Sequence, residues 1–158
     1  MCLNPIQNRI IDQLIRQEEM ISVLYEIFAK QFSQHASFWK ELSLEEVRHA
    51  RLLKELKEVA NKEQVLFDEG KLSIITLDAF LVRLDGVLQK AKKGDFTLLA
   101  ALNCAVDYET SLIEKNIFAH FDSTNSKFKE VLQILQAETQ KHVEKVTNIQ
   151  RSVVEINE

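Results

Sequence analysis

The sequence predicts an all-α fold: four long helices in two antiparallel hairpins, joined by a long crossover that contains a shorter helix. Three observations carry this prediction. Only three glycines and one proline punctuate the 158 residues, too few for the turns of a β-rich chain. Apolar residues recur at spacings of three and four for several turns at a time. The breaks between those stretches fall in short polar runs, SQHAS (33–37) and DSTNS (122–126), which suit reversals between helices. A chain of this length fits one domain with a sizeable core, so residues 1–158 are read as a single helical bundle.

Each element has its own signals. Asn4-Pro5 opens the first helix, with Asn as N-cap and Pro in the first turn. Its seam runs Ile11, Leu14, Glu18, Ile21, Tyr25, Phe28, Phe32. After SQHAS, Ser37 is the expected cap of a second helix reaching about residue 62. Residues 63–73 lose the period and contain Gly70, as a connection would. TLDAFLVRLDGVLQKAKK (76–93) predicts a shorter helix stopped by Gly94. Asp95 is the expected cap of the next, which carries Leu98, Leu102, Ala105, Glu109 and Leu112 on one stripe. The last helix begins near DSTNS and shows Phe128, Val131, Leu135, Glu138, His142 and Ile149.

Composition narrows the function classes. No apolar run reaches the ~18 residues of a membrane span, and the N-terminus shows no secretory pattern. A net charge of −4 with interspersed signs offers no basic patch for nucleic acid. Cys2 and Cys104 form no CxxC pair, which points to a reducing, cytoplasmic setting and away from a thiolate-rich metal site.

The seams themselves raise the functional question. Glu46 and His49 lie in the series 42, 46, 49, 53, 56, 60, whose other members are Leu42, Leu53, Leu56 and Ala60. Burying two ionisable groups unpaired is costly. Every long helix repeats the anomaly: Glu18 in the first, Glu46 and His49 in the second, Glu109 in the third, Glu138 and His142 in the last. The midpoint of 18 and 49 falls at SQHAS and that of 109 and 142 in DSTNS. In antiparallel hairpins, residues equidistant from the turn share a height, so all six groups are expected in one layer. Four carboxylates and two imidazoles together suit a pair of divalent iron or manganese ions.

These residues give the chain a resemblance to the ferritin-like superfamily, specifically the rubrerythrin-like di-iron carboxylate proteins. It rests on Glu18 with Tyr25 seven residues later, FWKELSLEEVRHARLL in the second helix, DYETSLIEKNIF around Glu109, and LQAETQKHVEKV in the last helix. The resemblance implies a ferritin-like four-helix bundle holding two iron ions per chain. Glu18, Glu46, His49, Glu109 and His142 would be ligands, with Glu46 bridging. It further implies peroxide reduction or ferrous-iron oxidation, with peroxide or oxygen as partner, and admits a homodimer. One departure stands out: the family pattern has Glu three residues before the last-helix His, where this chain has Thr139. Glu138, four residues before His142, lies on the same broad face and is the substitute candidate. The intact Glu46–His49 pair makes His49 the more important imidazole on this reading. With no rubredoxin-like cysteine site, electrons must come from a separate donor. Two bland readings compete: a metal-binding or sensing bundle without turnover, and a metal-free scaffold whose polar layer serves packing specificity.

Overall fold

A computed structural model describes residues 3–62, 65–67, 73–111, 121–123 and 125–156. Among these the chain is almost wholly helical. Helix α1 spans Pro5–Gln31 and closes its N-terminus with a reciprocal capping box. Asn4 Oδ1 accepts from the Gln7 amide at 2.8 Å while the Asn4 amide donates to Gln7 Oε1 at 2.9 Å. A 3₁₀ turn, Ser33–His35, leads directly into helix α2, Ala36–Lys62. Ser37 therefore lies inside the first turn of α2 and is not its cap, because the 3₁₀ turn already delivers Ala36 with helical dihedrals.

Helix α3 covers Ile74–Lys92 and is capped by Ser73, two residues earlier than the pattern suggested. It ends where expected. Gly94 takes φ +77°, a left-handed conformation that glycine adopts without a Cβ penalty. Its amide returns to Ala91 O at 2.9 Å. The amide of Asp95 is still engaged with Lys90 O, so Asp95 belongs to the end of α3. Thr97 instead caps helix α4, Leu98–Glu109, accepting from the Ala100 amide at 3.1 Å. This helix stops at Glu109: the Thr110 hydroxyl bonds back to Val106 O at 2.6 Å. Leu112, expected on the same stripe, lies outside the described residues. Helix α5 spans Ser126–Ile156 and begins at Asn125, whose Oδ1 accepts from the Phe128 amide.

The connection and the polar turn hold a second departure. Strand β1, Val65–Phe67, pairs antiparallel with strand β2, Phe121–Ser123, with Val65 opposite Ser123 and Phe67 opposite Phe121. In this ladder the backbone groups of the two short segments satisfy one another.

Two apolar clusters form the core, and the helices thread them in alternating directions. The first gathers Ile10, Ile11 and Leu14 of α1, Leu53 and Leu56 of α2, Leu77 of α3, and Phe128 and Leu135 of α5. The second gathers Leu24, Tyr25 and Phe28 of α1, Trp39 and Leu42 of α2, Leu84 and Leu88 of α3, Leu102 of α4 and Val146 of α5. Thus α1, α3 and α5 run from the first cluster to the second, and α2 runs back. Helix α4 leaves the second cluster and ends, at Glu109, on the level between the two. That level is where Glu18, Glu46, His49, Thr139 and His142 also fall in sequence. Next to it the hydroxyls of Ser22 and Ser43 meet at 3.1 Å, both buried; these small residues let α1 and α2 approach closely. No helix among the described residues is long and apolar enough to cross a membrane.

Candidate metal centre

Glu46 stands at the centre of the polar level. On α2 it sits one turn before His49, and spacing of three places both on one helix face. His49 Nδ1 lies 3.4 Å from Glu46 Oε2. From α5, His142 Nδ1 reaches 2.8 Å from Glu46 Oε1 and 3.3 Å from Glu109 Oε2. Glu18 of α1 hydrogen-bonds the Glu46 carboxyl group. The imidazoles of His49 and His142 stack with centroids 4.9 Å apart. All five residues are at most 3% exposed. The structure therefore brings together Glu18, Glu46, His49, Glu109 and His142 in one buried layer. Tyr25, two turns beyond Glu18, donates its hydroxyl to Glu109 Oε1 at 2.7 Å.

Glu138 is placed differently from the ligand position expected for it. Its carboxylate turns away from the layer, accepting from Arg48 and lying 3.1 Å from His49 Nε2. The inward-facing residue of that turn is Thr139, which is 5% exposed. A spacing of four carries Glu138 to the edge of the stripe, where a cation and a ring nitrogen hold it. Sequence reasoning missed its counterpart, Glu45, whose Oε2 lies 2.8 Å from His142 Nε2. The available signal was a repeated Glu-x-x-x-His spacing, Glu45 to His49 on α2 and Glu138 to His142 on α5. Gln17, set off the seam by the pattern, is also buried.

The electrostatics of the layer are strained without a cation. Burial pushes the Glu46 carboxyl up to about 7 and Glu109 adds repulsion, against the contacts with Glu18 and His142. Burial opposes charging of His142, but its contacts with Glu109 and Glu46 outweigh that and carry it up to about 11. Without a metal, a proton on His142 thus offsets part of the carboxylate charge.

The donor set fits a metal ion by two tests. One atom each from Glu46, His49 and His142 lie within 4.8 Å of one another, the only such group among the described residues. Glu46 Oε1 and His142 Nδ1 are buried and have no hydrogen-bond partner, although they are 2.8 Å apart. Both are the kind of atom that can ligate a metal ion. Carboxylate oxygen and imidazole nitrogen without thiolate suit iron, manganese or zinc. No protein-family model matches this chain, and neither the curated proteins nor the solved structures contain a detectable relative.

Proposed function

We propose that this protein is a metalloprotein of ferritin-like, four-helix arrangement, with a pair of iron ions in the Glu/His layer and peroxide or ferrous iron as substrate. The observation that carries the reading is the convergence of three carboxylates and two imidazoles, buried, from four helices. Such a set is costly to bury for packing alone, since each charge loses its hydration. Iron bound there would supply electrons to a peroxide or oxygen molecule. The chain's own residues supply the rest. Glu18, Glu46 and Glu109 would hold the ions by oxygen, His49 and His142 by Nδ1. Tyr25 fixes Glu109 through its hydroxyl. The apolar clusters on either side of the layer keep bulk water out. Electrons would come from a donor outside these 158 residues, whose only cysteines are Cys2 and Cys104.

Thr139 and the outward turn of Glu138 favour a second reading: a site that binds metal, with one position weakly held, and does not turn over. Iron analysis of protein purified without chelator tests the first element. About two ions per chain, oxidised by added peroxide, is the expected result. Bound metal with no peroxide-dependent oxidation would favour the second reading, and no bound metal would refute both.

A further inference from the structure

Helix α3 has two different faces. Leu77, Phe80, Leu81, Leu84, Leu88 and Ala91 are buried against the rest of the chain. The opposite face carries Ile75, Ala79, Val82 and Gly86 at spacings of four, three and four, and all of them are exposed. Ile75 is 81% exposed and Val82 73%. This is the stripe of a coiled-coil seam, on a helix whose inward side is already packed. Gly86 is an independent sign. It lies inside the helix without a left-handed φ, and a Cβ there would meet nothing within 4 Å. Neither the backbone nor the packing of a single chain calls for glycine, which weakens a helix interior. Close approach of a second helix does call for it.

The flanking charges identify that second helix. Written as heptads, Ile75 and Val82 take position d, and Ala79 and Gly86 position a. Asp78 and Asp85 then fall at g, Arg83 and Lys90 at e. In a parallel pair, each g residue faces the partner's next e residue. Asp78 would meet the partner's Arg83 and Asp85 the partner's Lys90, each pair occurring twice about a two-fold axis. An antiparallel pair would set g beside g and e beside e, acid against acid and base against base. Arg83 and Asp85 form no salt bridge among the described residues, and Asp78 stays partly exposed while holding Arg9 at 2.9 Å. The g side also borders a groove of about 390 Å³ between α1 and α3. Its lining combines apolar Met20, Leu81 and Val82 with Asp78, Asp85 and Arg16, a net negative setting with room for an arginine side chain.

We propose that the outer face of α3 is a self-association surface, on which two copies of this chain pair through parallel α3 helices. Ile75, Ala79, Val82 and Gly86 form the seam, Asp78 and Asp85 bind the partner's Arg83 and Lys90, and the groove receives the partner's Arg83. A single helix pair buries less than a standard stable interface, so the dimer forms at micromolar concentrations and dissociates on dilution. The pairing does not depend on the metal-site reading, because α3 contributes nothing to the Glu/His layer.

Sedimentation equilibrium of the full chain across micromolar concentrations should show a monomer–dimer equilibrium. Val82→Asp, an exposed substitution that leaves helical circular dichroism unchanged, should abolish the dimer. Asp85→Lys and Lys90→Glu should each weaken it about tenfold by turning attraction into repulsion at two places, and the double variant should recover it. A monomeric parent, or a dimer indifferent to Val82→Asp, would overturn the proposal. So would a double variant no tighter than the single ones. Orientation is read by mild oxidation in a Cys2→Ser, Cys104→Ser background. Ile75→Cys and Gly86→Cys should each form disulfide dimers alone, since equal positions meet across a parallel seam. Crosslinking only when the two variants are mixed would mean antiparallel helices and would equally overturn it.

Discussion

A divalent ion entering the layer has to displace the proton that His142 carries in its absence. The His142 imidazole is held at about 11 by Glu109 and Glu46, so near pH 8 it is almost fully protonated. Binding through Nδ1 should then release about one proton, and affinity should rise about tenfold per pH unit, or about 1.4 kcal/mol. Near pH 7 the Glu46 carboxyl, raised to about 7, is about half protonated and should add about half a proton. Below that point the dependence steepens. Stability of the metal-free protein follows the same groups. His142 contributes fully below its unfolded value of 6.5 and loses that contribution as pH rises through about 11. Glu46 also binds its proton more tightly when folded, so stability falls as pH climbs from 4.5 toward about 7. Metal binding works in the opposite sense. An ion at 100 times its Kd adds about 2.7 kcal/mol, or about 5–10 °C in Tm for a chain of this size. The Tm gap between loaded and free protein should therefore widen with pH. Calorimetric titration with cobalt(II), in two buffers of different ionisation enthalpy at about pH 7 and pH 8, measures the protons directly. A Kd unchanged between those pH values, with no proton released, would refute the placement of His142 as a ligand.

Other substitutions probe the layer from different sides. Thr139→Glu puts a carboxylate on the inward face one turn before His142; it should raise metal stoichiometry or affinity while destabilising the metal-free form at neutral pH, a penalty that shrinks on acidification. Two ions already bound by the parent, with no gain in the variant, would show that the natural site is complete. His142→Ala should now weaken cobalt binding more than His49→Ala, the reverse of the sequence expectation, because His142 Nδ1 lies 2.8 Å from Glu46 and 3.3 Å from Glu109, whereas His49 Nδ1 lies 3.4 Å from Glu46. Equal losses measured by calorimetry would contradict that ranking. Tyr25→Phe removes the donor to Glu109 at nearly constant volume; denaturant unfolding of the metal-free protein should show a loss of about 1–3 kcal/mol, and no loss would mean that Glu109 finds another donor.

The sequence by itself determined which faces are buried. Spacings of three and four placed Glu18, Glu46, His49, Glu109 and His142 on apolar stripes, and each is buried, because side-chain direction on a helix follows from residue number alone. Asn4-Pro5 and Gly94 marked helix ends for the same local reason. Start positions were less legible where a neighbouring turn intervened: Asp95 is held by the end of α3, and the 3₁₀ turn starts α2 at Ala36 so that Ser37 falls inside it, while Thr97 caps α4. What lies between helices was decided only by the tertiary structure. One residue of α5 separates Glu138 from Thr139, and the packing of α2 against α5 turned the first outward to His49 and Arg48 and the second inward. The same packing brought Glu45 to His142 and paired Val65–Phe67 with Phe121–Ser123. Such contacts depend on the relative rotation and height of two elements, which are set by the whole core, whereas periodicity along one helix reports only that helix's own faces.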